Sequence, residues 1–122
     1  VADVALALLN RYPGAQWITE RELRRESGVK FGVGSPVKPP DGVLLLPDGR
    51  RVAVEVENSR KSRRRLDQRL RYYVRQTKYQ EVWYVVGRRR QAGRIRELAA
   101  NFDFVRVWEE VEILGHSPDR TN

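Results

Sequence analysis

The chain of 122 residues contains no cysteine, no methionine and a single histidine, His116. Without cysteine there is no disulfide framework, no thiolate metal site and no thiol nucleophile. One histidine excludes a histidine-rich zinc centre, and a Ser-His-Asp arrangement could draw only on His116, next to a polar tail. No apolar run approaches the roughly 20 residues that cross a bilayer, and no stretch has the layout of a signal peptide. These absences point to a cytoplasmic domain without a membrane partner. The length suits one domain over residues 1–122, with a core at about 17–111 and a polar tail at 112–122. Starting at Val1 and lacking methionine, the chain reads as a piece excised from a longer protein.

What the chain has in excess is positive charge: 24 Lys and Arg against 16 Asp and Glu, a formal +8. The excess is local. Residues 1–58 carry 8 basic and 8 acidic side chains, and residues 91–122 carry 4 and 6. Residues 59–90 carry 12 basic side chains against only Asp67 and Glu81. Such a field attracts polyanions, nucleic acid first and acidic membrane surface second. The plain alternative is a solvated arginine face on a helix.

Apolar periodicity and turn residues predict the elements. Residues 1–10, rich in Ala and Leu, read as a helix ended by Arg11-Tyr12-Pro13-Gly14. Ile18-Thr19 leads into a second helix, with Thr19 as N-cap, Glu22 as its capping-box partner and Ser27-Gly28 as its end. Residues 28–42 hold four Gly and three Pro, an irregular stretch or a broken edge strand. Residues 42–46 and 51–57 form a hairpin around Pro47-Asp48-Gly49. A long helix is expected over 59–77, with Leu66, Leu70, Tyr73 and Val74 inward. A buried strand over 81–86 follows, then a helix with Ile95, Leu98, Ala99 and Phe102 inward, and a strand over 103–111. Trp17, Trp83, Tyr84 and Trp108 are expected in the core. The sum is an α/β domain, a central mixed sheet flanked by helices.

Residues 51–57 read Arg-Val-Ala-Val-Glu-Val-Glu. Strand alternation puts Val52, Val54 and Val56 on the face expected to be the main core, and Ala53, Glu55 and Glu57 on the other. The two glutamates then project together, roughly 7 Å apart. Asp41 precedes the hairpin, with Pro39-Pro40 stiffening its approach and Gly42 allowing a sharp turn, so the hairpin can bring it beside them. Three carboxylates at one place repel unless a cation sits among them. Mg²⁺ or Mn²⁺, held by Asp41 and Glu55 with the Val56 carbonyl and waters, is the economical answer. Such an ion lowers the pKa of bound water and stabilises charge on a phosphate under attack. Glutamates on a solvated face, paired with arginines, are the alternative.

With these residues in place the pattern resembles the PD-(D/E)XK nuclease superfamily, the restriction-endonuclease-like fold. Pro40-Asp41 matches the PD element, and thirteen residues separate Asp41 from Glu55-Val56-Glu57 at the (D/E)-x-K position. The order αβββαβ matches that core over roughly residues 17–110. The stretch Pro40-Asp41-Gly42-Val43 with Val54-Glu55-Val56-Glu57-Asn58-Ser59-Arg60-Lys61-Ser62 also resembles replication-relaxation proteins of bacterial mobile elements. In those a winged-helix part usually precedes the nuclease-like part. The resemblance implies a Mg²⁺-dependent endonuclease acting on plasmid or other mobile DNA.

The chain departs from the motif in one place: Glu57 stands where the lysine belongs. Some restriction enzymes of this fold carry glutamate there, which could handle the attacking water, and in others the lysine moves to the following helix, where Lys61 stands. The resemblance also implies a metal-binding glutamate from the first helix, with Glu20 as candidate, and a Gln-x-x-x-Tyr pair beside the site, Gln68 and Tyr72. Arg60, Arg63, Arg64, Arg69 and Arg88, Arg89, Arg90 are the candidates for gripping the DNA backbone without reading sequence. Lys30 and Lys38 are weaker candidates for phosphate contact. Cutting both strands requires two sites, which makes a homodimer one arrangement. The alternatives are a catalytically inactive DNA-binding accessory module of the same fold, and an adaptor whose arginine face meets an acidic protein.

Overall fold

The computed structural model describes residues 1–27 and 38–115. Two segments are buried on both faces and lie in the interior of the sheet. Residues Arg51–Glu57 and Glu81–Val86 pair in parallel, Glu55 beside Tyr84 and Glu57 beside Val86. Strands covered on both faces read as continuous apolar runs, and Val82 through Val86 are all buried. Among the described residues the sheet has five strands in the order β1 (Gln16–Thr19), β2 (Gly42–Leu45), β3 (Arg51–Glu57), β4 (Glu81–Val86) and β5 (Val105–Glu109). The first two pairings are antiparallel and the last two parallel. The β2–β3 hairpin turns through Pro47-Asp48-Gly49, where Gly49 takes φ +94°, a value that favours glycine. Asp48 accepts from the Arg50 N–H at 3.0 Å and closes the turn.

Helices cover both faces. α1 (Ala2–Arg11) and the short α5 (Glu110–Leu114) lie on one face, where Val4, Leu8 and Ile113 pack on Val52, Val54, Trp83 and Val85. α2 (Glu20–Ser27), α3 (Arg63–Arg75) and α4 (Arg89–Leu98) lie on the other. There Leu23, Leu66, Leu70, Tyr73, Ala92 and Ile95 pack on Val43, Ala53, Val82 and Tyr84. α3 has only one apolar stripe, so burial of that stripe against the sheet, rather than propensity, holds it in place. Ser62 caps it by accepting from the Arg65 N–H at 3.2 Å.

Several expectations change. The Val52-Val54-Val56 face is not the main core, because the Ala53-Glu55-Glu57 face is equally covered, by α3. The long helix occupies 63–75 rather than 59–77, since the Ser62 cap fixes its start. Within its stripe Val74 is 49% exposed, while Leu66, Leu70 and Tyr73 are buried. Among the described residues, the antiparallel strand outside the hairpin is Gln16–Thr19, ahead of the second helix, so a strand interrupts the expected helix-to-helix passage; most of the Gly- and Pro-rich stretch read as irregular or as a broken edge strand, residues 28–37, lies outside the described residues. The capping box itself forms: Glu22 N–H donates to Thr19 Oγ1 at 3.1 Å, and Thr19 N–H to Glu22 Oε1 at 2.9 Å. The last strand stops at Glu109, where a second capping box, between Glu109 and Glu112, starts α5. The packed unit therefore reaches beyond 17–111 at both ends, to Val4, Leu8 and Ile113. Trp83 and Tyr84 are fully buried, and Trp17 and Trp108 are half-buried against the α1 side.

Candidate functional site

The topology gathers the chemically active residues at one edge. β1, β3, β4 and β5 all point the same way and β2 runs against them. The carboxyl ends of four strands and the amino end of β2 therefore meet. Ligands of open α/β sheets bind outside the carboxyl ends of the strands. That edge carries Glu20 after β1, Asp41 before β2, Glu55 and Glu57 in β3, and Arg88–Arg90 after β4.

Asp41 is placed by its neighbour. Gly42 pairs with Val54, so the next position, Asp41, stands opposite Glu55. A methyl group at Gly42 would lie 1.9 Å from the Trp17 ring, so only glycine lets the indole cross β2 here. The Asp41 carboxylate is 15% exposed and accepts the Val56 N–H at 2.7 Å on Oδ2, while Lys38 Nζ stands 3.3 Å from Oδ1. Asp41 thus stands beside Glu55, one of the two glutamates the hairpin was expected to bring it to.

Glu55 is a buried carboxylate with a built-in counter-ion. Its side chain is 3% exposed. Arg69 from α3 reaches it with Nε at 2.9 Å and Nη2 at 2.8 Å, and the Tyr73 hydroxyl donates to the same oxygen, Oε2. Arg69 is fixed in turn by the Lys38 carbonyl, at 2.7 Å from Nη1, and by the rings of Tyr72 and Tyr73 about 5 Å away. Burial pushes the Glu55 pKa up, while Arg69 and the Tyr73 hydroxyl oppose it, and the charge on Asp41 adds to the rise. Burial alone would lower the Arg69 pKa, but Glu55 outweighs it and the guanidinium stays charged.

Glu57, 4% exposed, pairs with Lys61 at 2.9 Å. Lys61 lies just ahead of α3, near its first turn, and returns to the strand as expected. Glu55, Glu57, Lys38, Lys61, Arg65 and Arg69 line a cleft of about 340 Å³. Gln68 and Tyr72 also line it, so the Gln-x-x-x-Tyr pair faces the site rather than open surface. Tyr84 closes the floor from β4, and its buried hydroxyl has no hydrogen-bond partner among the described residues.

The remaining candidates fall into place around this cleft. Arg60, Arg63 and Arg64 are exposed beside the start of α3, and Arg88, Arg89 and Arg90 at the start of α4. Both helices begin at the same sheet edge, so the two arginine groups flank it. Arg69 does not belong with them, because its guanidinium is spent on Glu55 inside the site. Glu20 stands one step past the Thr19–Gly42 pair, but its carboxylate pairs with Arg24 at 2.7 Å. Val56 enters through its N–H, which holds Asp41. Lys30 and His116 lie outside the described residues. Among the described residues no set of three or more acidic or histidine side chains is grouped to hold a metal ion. The mutual repulsion of the three carboxylates is answered instead by Lys38, Arg69 and Lys61, one each.

Sequence reasoning missed Arg69 and Tyr73 as partners of Glu55, Arg65 as a cleft cation, and Tyr84 as its floor. One signal was present: Arg69 and Tyr73 are i, i+4 on α3, one face of a helix. No helix among the described residues is long and apolar enough to cross a membrane. No protein-family model, curated protein or solved structure matches the chain.

Proposed function

We propose that this cleft binds DNA and that the domain hydrolyses phosphodiester bonds with Mg²⁺ or Mn²⁺, on the restriction-endonuclease-like plan that its motif resembles. The observation that carries the reading is the placement of Asp41 beside Glu55, whose carboxylate lines a cleft edged with cations. Mg²⁺ is commonly bound through one or two carboxylates together with substrate phosphate, and this pair offers that donor set. Every hydrogen bond described to Glu55 ends on Oε2, which leaves Oε1 for a ligand. Asp41 Oδ1 is held only by a half-exposed lysine. The ion would be held by Asp41 and Glu55 with the Val56 carbonyl. When bound it would acidify water and offset charge at the phosphate.

The chain's own groups do the rest. Arg69 and Tyr73 fix Glu55 in one orientation, so no rotamer search precedes binding. Lys61 and Arg65 offset the charge of a phosphate entering the cleft. Glu57 is the group to take a proton from water, and Lys61 supplies the positive charge that the motif's lysine brings. The arginines before and within the first turns of α3 and α4 hold the backbone on either side. A role in replication or relaxation of mobile DNA, a homodimer for cutting both strands, and a preceding winged-helix part extend this proposal.

A second reading is a DNA-binding accessory module that does not cut. It is favoured by the three side-chain cations, which already neutralise the carboxylates. Two measurements separate the readings. Calorimetry with Mn²⁺ in the presence of a short DNA duplex should give a heat that Asp41→Ala abolishes. Plasmid nicking should vanish in Glu55→Ala while salt-dependent DNA binding persists. Intact plasmid and no Mn²⁺ heat, with DNA affinity retained, select the silent module. No salt-dependent affinity at all leaves the adaptor for an acidic protein.

A further inference from the structure

Among the described residues that line the cleft, Tyr84 is the one with a buried polar atom left without a partner. Its ring is fully buried in the core between the sheet and α3. Its hydroxyl is buried without a partner among the described residues, yet the residue lines the cleft. Phenylalanine would fill the same apolar space. A buried hydroxyl without a partner costs roughly 1–3 kcal/mol, and native interiors rarely leave one so.

The neighbouring carboxylates do not satisfy it. Glu55 stands beside Tyr84 across the β3–β4 pairing, but its Oε2 is taken by Arg69 and Tyr73. Glu57 is held by Lys61. Burial, and then the charge on Glu55, keep the phenol protonated, so it offers a donor. No acceptor among the described residues reaches it. The cations beside it, Lys61 and Arg65, select an anionic one.

We propose that the Tyr84 hydroxyl donates a hydrogen bond to a non-bridging oxygen of the phosphodiester seated in the cleft. The inference rests on the DNA reading above and names the contact at the bottom of that site. A donor on a central strand cannot swing away, so it sets how deep the phosphate sits, which mobile surface arginines do not.

The test pairs deletion of the hydroxyl with deletion of the phosphate oxygen. Tyr84→Phe should melt at or above the wild-type temperature, because it removes an unpaired buried group. Binding of a short DNA oligonucleotide is followed by fluorescence anisotropy in EDTA, so that no cutting intrudes. The variant should bind about 10-fold more weakly, the size of a hydrogen bond to a charged acceptor. A single methylphosphonate, walked along the oligonucleotide, should weaken wild-type binding about 10-fold at one linkage and leave Tyr84→Phe unaffected there. Equal binding by variant and wild type overturns the inference, and so do losses that multiply at every linkage, since the hydroxyl then contacts no phosphate oxygen. Absence of DNA affinity in the wild type removes the DNA reading itself, a separate and recognisable failure.

Discussion

Replacing Arg69 with methionine probes the arrangement on which the site depends. Glu55 is 3% exposed and Arg69 19%, so their pair is shielded from solvent. Removing one partner of a buried pair leaves an uncompensated charge and costs about 3–5 kcal/mol. Tyr73 still donates to Glu55 in the variant and Arg69 is partly wet, which places the loss near the lower end, about 3 kcal/mol. For a domain of this size that is a fall in Tm of about 10 °C, a large part of a typical total stability. Burial already raises the Glu55 pKa, and Arg69 opposes that rise. Without Arg69 the folded-state pKa climbs further above its unfolded value. The folded variant then favours the protonated acid, so its stability is retained below the unfolded pKa and lost as pH rises through the folded one. Urea unfolding in EDTA should therefore show a gap between variant and wild type that widens from pH 4 to pH 7. Adding Glu55→Gln to Arg69→Met should recover much of the loss, because no buried charge remains. A gap below about 1 kcal/mol that does not change with pH would refute the reasoning, since a pair behaving so is solvent-screened.

Other consequences are quicker to check. Gly42→Ala forces a methyl group onto the Trp17 ring; a loss of about 2–3 kcal/mol is expected in urea, with a change in tryptophan fluorescence, and Trp17→Leu in the same chain should recover part of it. Replacing Arg63, Arg64 and Arg89 together by glutamine removes three exposed charges flanking the cleft. Thermal stability should move by less than about 0.5 kcal/mol per site, while the slope of log affinity against log salt for DNA should fall by up to about 3.

The parts of the fold that a reader of the sequence could see are those with a strong period. β4 is a run of five apolar residues after Glu81, and the hairpin is marked by Pro47-Asp48-Gly49, so both emerge where expected. β1 is only four residues long, Gln16-Trp17-Ile18-Thr19, too short for any period, and the capping box at Thr19 drew attention to the helix instead. α5 has only five residues, and Val111 on it is exposed, so nothing in its composition separates it from a strand end. In the site, Asp41, Glu55, Glu57 and Lys61 were legible because motif spacing and hairpin register both bear on them. Arg69 was not. It is one of many arginines between Arg60 and Arg75, and composition does not say which one turns inward; only packing of Leu66, Leu70 and Tyr73 on the sheet does. Tyr84 was legible as core, but its hydroxyl acquires meaning only when the parallel register with Glu55 is known.

Charge counting within the site leads to a last prediction. Asp41, Glu55 and Glu57 face Lys38, Lys61, Arg65 and Arg69, three negative groups against four positive. With no ligand the site holds one positive charge too many, which one phosphodiester would neutralise. A divalent cation entering the site without DNA would raise that surplus to three, in a partly buried place where like charges are costly. The same ion arriving with DNA would meet several phosphates and could displace Lys38 from Asp41. Metal and DNA should therefore bind cooperatively, and linkage requires the effect to be reciprocal. Mn²⁺ affinity, read by calorimetry or by paramagnetic broadening, should be weak for the protein alone. It should rise by about tenfold or more with a DNA duplex present, and DNA affinity should rise by the same factor when Mn²⁺ is added to the Glu57→Gln variant, which limits cutting during the measurement. Lys38→Ala should narrow the difference by strengthening the metal site in the absence of DNA. Mn²⁺ binding that is equally tight with and without DNA would mean that the carboxylates are not balanced by their lysine and arginine partners, and the argument from charge would fail.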